Sequence, residues 1–396
     1  GRTSFKVGEP IRLELVFTAG AAGYMVETGG MDDAVERLNI HPESSVRRLP
    51  PILGRHTYSF HGDITETTNV FRVCANYWGL FDHPGTYTVS LETRRVTVKE
   101  WPPKHQWIPL ATNAVTFTIE PTTSDDEQRL IAAADQSLRA ALTMGMTEQI
   151  RAAEMLAFLP SDAAAIAKYR WHKELATVKG MPSNAYHLLR RGFEMTRNPA
   201  AILTAIEADL ERLDQPVTWE MISNATAIAL AIKYPGLRYE DLESVFADKA
   251  HPFLLEQARY VGLVTESLER RAGQSRLFSA AAVLWGMADR TPREVTRVVI
   301  DGFAQLPTDS RLHLTDIRWS VFRDASLGPT LRRTLDEVEA HNRSSIFRAL
   351  IDIAPELAIG PLAADILDPS RVVTAELVAQ MPSGSMSHVA APLLAH

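Results

Sequence analysis

The stretch from residue 198 to residue 216 reads NPAAILTAIEADLERLDQP. Asn198 suits the cap of a helix and Pro199 suits its first helical position. The apolar residues that follow recur with the period of a helix and form one face, at Leu203, Ile206, Leu210 and Leu213. Pro216 then punctuates the chain, so the stretch predicts one helix and the turn that follows it.

Prolines recur at similar intervals through this part of the chain, at Pro182, Pro216, Pro252, Pro292 and Pro329. The intervals are 34, 36, 40 and 37 residues, which is the length of a stacked helix pair. Pro199 and Pro235 divide the chain up to Pro252 into steps of 17, 19 and 17 residues, each fitting one helix and a turn. Residues 122–396 are therefore predicted to form an α-helical HEAT-like solenoid, a right-handed stack of about six helix pairs.

Some residues are predicted to lie in the continuous core of this stack, namely Ile206, Leu210, Ile222, Ile228 and Trp285. The tryptophans of the helical region, each in a helix of its own, are likewise expected to be core residues. They are Trp171, Trp219, Trp285 and Trp319.

Residues 1–121 show a different period, because apolar and polar residues alternate. Three segments carry the pattern most clearly: Ile11 to Phe17, Tyr87 to Leu91 and Val115 to Ile119. Roughly eight such segments in this length predict an immunoglobulin-like antiparallel β-sandwich. Pro121 to Ser124 reads as a linker, and Ser124 with Glu127 is a candidate capping box for the first helix.

Two short pieces of the β region, Gly8-Glu9-Pro10-Ile11-Arg12-Leu13 and Pro84-Gly85-Thr86-Tyr87-Thr88-Val89, resemble the opening strand and a late strand of immunoglobulin-like modules. Together with the helical repeat, the arrangement resembles exported bacterial proteins of uncharacterised function that join such a sandwich to HEAT-like repeats. The resemblance implies a multidomain β-then-α fold and an extracellular, cell-surface or periplasmic location. Residue 1 is Gly, so we expect that an export signal has been removed.

Composition limits the partners. The net charge is −7 and both regions are mildly acidic, which disfavours nucleic-acid binding. The longest apolar run, Leu277 to Ala288, is shorter than a membrane span requires. The single cysteine, Cys74, excludes an intrachain disulfide and is expected to pack inertly in a strand.

Specific catalytic motifs are absent from the sequence, including phosphate loops, zinc helices and nucleophile elbows. No catalytic residue, cofactor or metal site is therefore predicted. Histidines in the β region leave a metal site open as an alternative to ordinary surface positions: His41, His56, His61, His83 and His105.

Aromatic residues give the best candidates for a contact surface. The segment Trp101-Pro102-Pro103-Lys104-His105-Gln106-Trp107 places Trp101 and Trp107 around a rigid Pro-Pro pair, between two predicted strands. Tyr77, Trp78 and Phe81 form a second cluster. Tryptophan and tyrosine combine a large apolar surface with a polar group, which suits binding. Packing of both clusters into the β core or against the first helices is the alternative.

We therefore expect a non-enzymatic interaction or structural protein that binds a protein partner or copies of itself, with assembly into a homo-oligomer or filament as one form of this function. The alternative is a carbohydrate-active hydrolase or lyase, because a β-sandwich followed by helical hairpins also occurs in such enzymes. Two carboxylates about 5 to 10 Å apart in an aromatic-lined cleft would favour that alternative.

Overall fold

The computed structural model describes residues 2–21, 23–27, 36–47, 61–64, 69–98, 107–176, 184–193, 195–234, 252–287 and 290–367. Within these residues a β region is followed by a helical region, as the sequence predicts. The sequence also predicts a strand around Tyr58 to Phe60, which lies outside the described residues.

The β region contains nine described strands. They are β1 (Ser4–Lys6), β2 (Arg12–Phe17), β3 (Tyr24–Glu27), β4 (Glu36–His41), β5 (His61–Ile64), β6 (Asn69–Cys74), β7 (Gly85–Val98), β8 (Trp107–Ala111) and β9 (Val115–Glu120). Strands β2 and β6 form a two-stranded sheet, and the other seven form a second sheet. The prediction of a purely antiparallel arrangement is wrong, because β1 pairs with β9 in parallel. The larger sheet is therefore mixed.

Strand β7 is the centre of the larger sheet. It is 14 residues long and pairs with β9, β8, β4 and β3 along its length. The sequence predicted two strands here, Tyr87 to Leu91 and Arg95 to Val98. Thr93 and Arg95 are nevertheless buried, and the pairing with β8 shifts register between Thr93 and Val96. An irregularity of this kind increases the local twist without ending the strand.

Alternation along the strands places one side of each strand in a shared core. Leu15 and Phe17 of β2 belong to the same buried cluster as Tyr87, Val89 and Leu91 of β7. The Phe81 ring stands edge-on to the rings of Tyr87 and Phe117, a favourable arrangement of aromatic quadrupoles. This cluster buries the facing sides of β2 and β7.

The helical region contains thirteen described α-helices. They are α1 (Ser124–Ala141), α2 (Met146–Ala157), α3 (Asp162–Ala176), α4 (Asn184–Arg191), α5 (Pro199–Glu211), α6 (Trp219–Lys233), α7 (Pro252–Ser267), α8 (Gly273–Met287), α9 (Arg293–Gly302), α10 (Thr308–Phe322), α11 (Gly328–Glu337), α12 (Arg343–Ile353) and α13 (Pro355–Leu367). Two of the punctuating prolines, Pro199 and Pro252, are the first residues of their helices, as expected for this residue type. The capping box of α1 is formed by Thr123 and Asp126, one residue earlier than the predicted pair.

The described chain divides into two compact units that differ from the predicted division at residue 121. Unit 1 comprises Gly1–Ala205 and Thr226–Leu254, and unit 2 comprises Ile206–Ala225 and Leu255–His396. Residue 121 marks the change from strand to helix within unit 1.

Unit 1 joins the strands to the first four helices. Cys74 and Leu80 of the β region lie in the same buried cluster as residues of α1, α2, α3 and α4. The Arg12 guanidinium contacts the Glu154 carboxylate on α2 at 2.9 Å. Arg47 Nη2 donates to the backbone oxygen of Met195 at 3.0 Å. Strands and helices of unit 1 therefore share buried surface and polar contacts.

Unit 2 is organised by contacts between successive and alternate helices. Each helix from α8 to α12 contacts the next one, and α8 with α10, α10 with α12 and α11 with α13 also contact each other. Ile206, Leu210 and Ile222 are buried as predicted. Trp285 is only half-buried, which corrects its assignment to the continuous core.

No described helix is both long and apolar enough to cross a membrane.

Candidate interaction surfaces

Two of the aromatic residues predicted to make contacts lie in the β core. Phe81 is 2% exposed, and Trp78 is 8% exposed. Both belong to the buried cluster of the β region. For Trp78 and Phe81 the structure therefore favours the alternative that the sequence left open, core packing.

Tyr77 joins the β region to the helices of unit 1. Its half-buried ring stands edge-on to the ring of Phe158 after α2, with ring centroids 5.5 Å apart. Its hydroxyl donates to Glu154 Oε1 at 3.4 Å, and its backbone oxygen accepts from Arg191 Nη2 at 2.8 Å. Burial raises the pKa of the Tyr77 hydroxyl and also that of the Glu154 carboxyl. The role of Tyr77 in this structure is internal packing.

Trp107 keeps the exposure that a contact residue needs. It begins β8, a strand that the sequence treated as a loop, and pairs with Thr97 of β7. Trp107 is 36% exposed and Leu110, on the same strand, is 39% exposed. Trp101 and the Pro-Pro pair lie outside the described residues. Trp107 is therefore the described member of the predicted tryptophan pair.

Among the histidines considered as metal ligands, the side chains of His41 and His83 alone are described. His41 and His83 are exposed, and His83 Nε2 lies 3.7 Å from Asp82 Oδ1. His56 and His105 lie outside the described residues. Within the part of the chain that the structure describes, no group of three or more metal-ligating side chains occurs.

A row of rings on unit 2 was not predicted. We call Trp219 of α6, Trp285 of α8, and His313 and Ile317 of α10 the aromatic row. The rings of Trp219 and Trp285 are inclined at 72° with centroids 6.4 Å apart, and the rings of Trp285 and His313 stack at 5.9 Å. Ile317, one turn after His313, is 42% exposed. Three helices thus contribute neighbouring apolar and aromatic groups.

The neighbouring backbone and side chains hold the row in place. Arg318 Nε donates to the backbone oxygen of Trp285 at 2.6 Å, which ties α10 to α8. The Trp219 ring occupies the position that a side chain at Gly286 would need, so the absence of a Cβ allows the ring to lie directly on α8. Rings fixed by packing lose little conformational entropy when they bind.

The Trp285 indole N–H is a buried donor with no acceptor in the described part of the chain. A buried unsatisfied donor costs about 1 to 3 kcal/mol, so such donors are uncommon in native structures. The unpaired indole N–H of Trp285 and the half-buried rings of Trp219 and Trp285 distinguish the aromatic row from ordinary core packing.

A surface cleft of about 430 Å³ lies elsewhere on unit 2, between α9 and the segment after α10. Its lining residues are Thr291, Arg293, Thr296, Arg297, Ile300, Asp301, Val321, Asp324 and Ser326. Asp324 accepts a hydrogen bond from the Ser326 backbone N–H, which lowers the pKa of its carboxyl. A general acid for glycoside cleavage needs a raised pKa, and none of these lining residues is aromatic. This cleft does not match the predicted hydrolase site.

Comparison of the chain with protein-family models, with curated proteins and with solved structures finds no match.

Proposed function

We propose that this protein is a non-enzymatic binding protein whose helical unit recognises a protein partner through the aromatic row. The observation that carries the proposal is the convergence of the Trp219, Trp285 and His313 rings from three helices, held and partly exposed, with exposed Ile317 one turn after His313 on α10. Tryptophan is enriched among the residues that dominate binding energy, and rigid aromatic anchors suit that role.

The helical unit is, in this proposal, a HEAT-like stack of helix pairs. Its support is the contact pattern, in which alternate helices α8, α10 and α12 lie next to each other while α9, α11 and α13 connect them. Stacked repeats contact only their neighbours and create extended surfaces for partners. The aromatic row lies on the alternate helices α6, α8 and α10. In a stack of helix pairs, such a set of alternate helices forms a continuous surface.

A repeated arginine supports the same reading. Arg311, in the first turn of α10, donates to Thr334 Oγ1 and Glu337 Oε2 near the end of α11 at 2.6 and 2.5 Å. Arg343, at the start of α12, lies 2.7 Å from Asp365 Oδ2 near the end of α13. The successive helix pairs α10–α11 and α12–α13 therefore share one contact. In each pair, an arginine at the start of the first helix binds a carboxylate near the end of the second.

The β region is, in this proposal, an immunoglobulin-like sandwich that offers a second contact surface. Two sheets share one buried cluster, and Trp107 and Leu110 of β8 are exposed. Contacts through Trp107 remain a prediction of the sequence that is compatible with its position on β8.

Ile317→Asp tests the proposal directly. The residue is already 42% exposed, so the charge should leave the fold intact while it interrupts the apolar surface of the row. Val16→Asp is the matched control, because Val16 is 59% exposed and belongs to the β region. We expect proteins captured from the source cells by the wild-type chain to be lost with Ile317→Asp and retained with Val16→Asp.

A captured protein is then purified and its affinity measured by calorimetry with all three chains. A loss of at least about 10-fold with Ile317→Asp alone, equivalent to about 1.4 kcal/mol, supports the proposal. If Ile317→Asp and Val16→Asp bind the captured protein with equal affinity, the aromatic row is not the binding surface. Turnover of a glycan or peptide by the purified wild-type chain, reduced by Asp324→Asn, would instead favour the hydrolase alternative.

A further inference from the structure

Two side chains that can carry a positive charge are buried one turn apart on α3. Lys168 is fully buried, and His172 is 3% exposed. Lys168 Nζ donates to the backbone oxygens of Leu159 and Gly192, at 2.7 and 2.9 Å, which follow α2 and α4 respectively. Lysine and histidine are seldom found so deeply buried, because removing their charged forms from water is costly.

The surroundings of His172 are aromatic. Its ring stacks on the ring of Tyr186 on α4, with the ring centroids 4.0 Å apart. It also lies edge-to-face with the ring of Phe193, with the ring centroids 5.3 Å apart. The Nε2 atom of His172 has no hydrogen-bond partner in the described chain. A proton on Nε2 would thus lie beside the rings of Tyr186 and Phe193, with no acceptor in the described chain.

The charged groups near His172 and Lys168 affect how readily each side chain carries a proton, and those near His172 oppose its protonation. Arg190 and His187, both on α4, act on His172 and oppose its protonation. On Lys168, Glu127 of α1 favours the charged form and Arg47 of the β region opposes it. Burial is the largest influence on both groups, and together these effects lower the pKa of His172 to about 3 and that of Lys168 well below its ordinary value.

We propose that His172, assisted by Lys168, makes the packing of α4 on α3 sensitive to protons, so that acidification releases α4. The released helix carries His172 out of its aromatic pocket into water, where the imidazolium is hydrated. This inference is independent of the aromatic row, which lies in unit 2.

Release of α4 has a consequence for the β region. Arg191, at the end of α4, donates to the Tyr77 backbone oxygen, and Arg47 donates to the Met195 and Thr196 oxygens just beyond it. These hydrogen bonds connect the strands of unit 1 to the α4 segment. Acidification therefore loosens the attachment of the β region to the helices, in addition to freeing α4 itself.

The direction of the effect follows from the two protonation equilibria. When α4 is released, the pKa of His172 is near 6.5, and when α4 is packed on α3 this pKa is lowered to about 3. Between these two pH values His172 therefore binds a proton more strongly in the released state than in the packed state. Stability contributed by neutral His172 is complete above pH 6.5 and is lost as the pH falls. Between pH 7 and pH 4.5, His172 alone should increase the opening equilibrium of α4 about 70-fold.

Hydrogen exchange followed by mass spectrometry tests this in the full chain. The readout is exchange of amides in residues 184–193, corrected for the intrinsic effect of pH, with residues 293–302 of α9 as an internal reference. We expect the opening equilibrium of α4 in the wild-type chain to rise between pH 7 and pH 4.5. In His172→Gln the rise should be about 70-fold smaller, because this variant lacks the imidazole. His172→Phe, which also cannot titrate and fits an aromatic pocket, serves as a second variant.

His187→Gln is the matched control, because it removes the other histidine facing the same pocket. This variant should keep the pH dependence of the wild-type chain. The proposal is overturned if wild-type exchange in α4 does not depend on pH. It is also overturned if His172→Gln and His172→Phe keep the wild-type dependence, or if His187→Gln alone abolishes it.

Discussion

The two units of this protein treat buried cationic side chains differently. In unit 2 the buried cations are arginines, and each has acceptors around it: Arg271 donates to the backbone oxygens of Leu210, Arg212 and Gln215 and to the hydroxyl of Ser267. Unit 1 buries Lys168 and His172 in addition to Arg95, and His172 Nε2 has no acceptor in the described chain.

The difference follows from the chemistry of the side chains. Arginine stays charged at all ordinary pH values, so its burial requires a complete set of acceptors. Lysine and histidine can instead lose the proton and be buried as neutral groups. The arginines of unit 2 therefore act as permanent connections between helices, whereas unit 1 contains connections whose strength depends on pH.

The largest expected effect concerns the integrity of unit 1. Expression of residues 1–121 alone removes α1 to α4, which cover Cys74 and Leu80, and also removes the Glu154 partner of Arg12. We expect this fragment to lack a cooperative thermal transition and to bind a hydrophobic dye, because a large apolar surface loses its cover. A sharp transition in calorimetry, with dispersed amide signals in NMR spectra, would restore the sequence-based boundary at residue 121.

Replacement of Arg271 by Met tests the permanent connections of unit 2. The change leaves backbone oxygens of Leu210, Arg212 and Gln215 without their buried donor, and we expect a loss of about 4 kcal/mol in the free energy of unfolding. Urea unfolding gives the value. Arg212→Met, at an exposed ion pair, is the control and should change stability by less than about 1 kcal/mol. Similar losses for both variants would contradict the role assigned to Arg271.

A smaller and pH-dependent effect is expected for Lys168→Met. At pH 9 the variant should be about 2 kcal/mol less stable than the wild-type chain, because the Leu159 and Gly192 oxygens lose their donor. Burial lowers the pKa of Lys168, so the stability that the neutral amine contributes is lost as the pH falls below about 10.5. The difference between the two chains should therefore shrink from pH 9 to pH 6. A difference that stays constant from pH 9 to pH 6 would show that Lys168 is buried as a stable ammonium.

Local periodicity predicted much of the secondary structure but not how elements combine. The alternation in Ile11 to Phe17 and Val115 to Ile119 identified β2 and β9, and Pro199 located the start of α5. The continuity of β7 was missed because the polar residues 92–94 look like a break in the pattern. Pairing with four other strands outweighs this local preference, and such pairing is not encoded within the segment itself.

The aromatic row was missed for a related reason. Trp285 follows the apolar run that begins at Leu277, so its own helix indicates a core position. Its exposure depends on how closely Trp219 and His313, far away in sequence, approach it. Trp107, singled out as a candidate contact residue, is exposed, but the sequence placed it at the end of a loop whereas it begins β8. Burial is a property of the assembled helices and sheets, and a single sequence reports it only through periodicity.

The contact between Trp219 and Gly286 constrains how this protein can evolve. A side chain at residue 286 would collide with the indole ring, so any larger residue there requires a smaller one at residue 219. The two positions are 67 residues apart in the chain and should therefore change together among descendants of a common ancestor. Glycine at residue 286 would mark those descendants that kept the tryptophan, and with it the contact between α6 and α8.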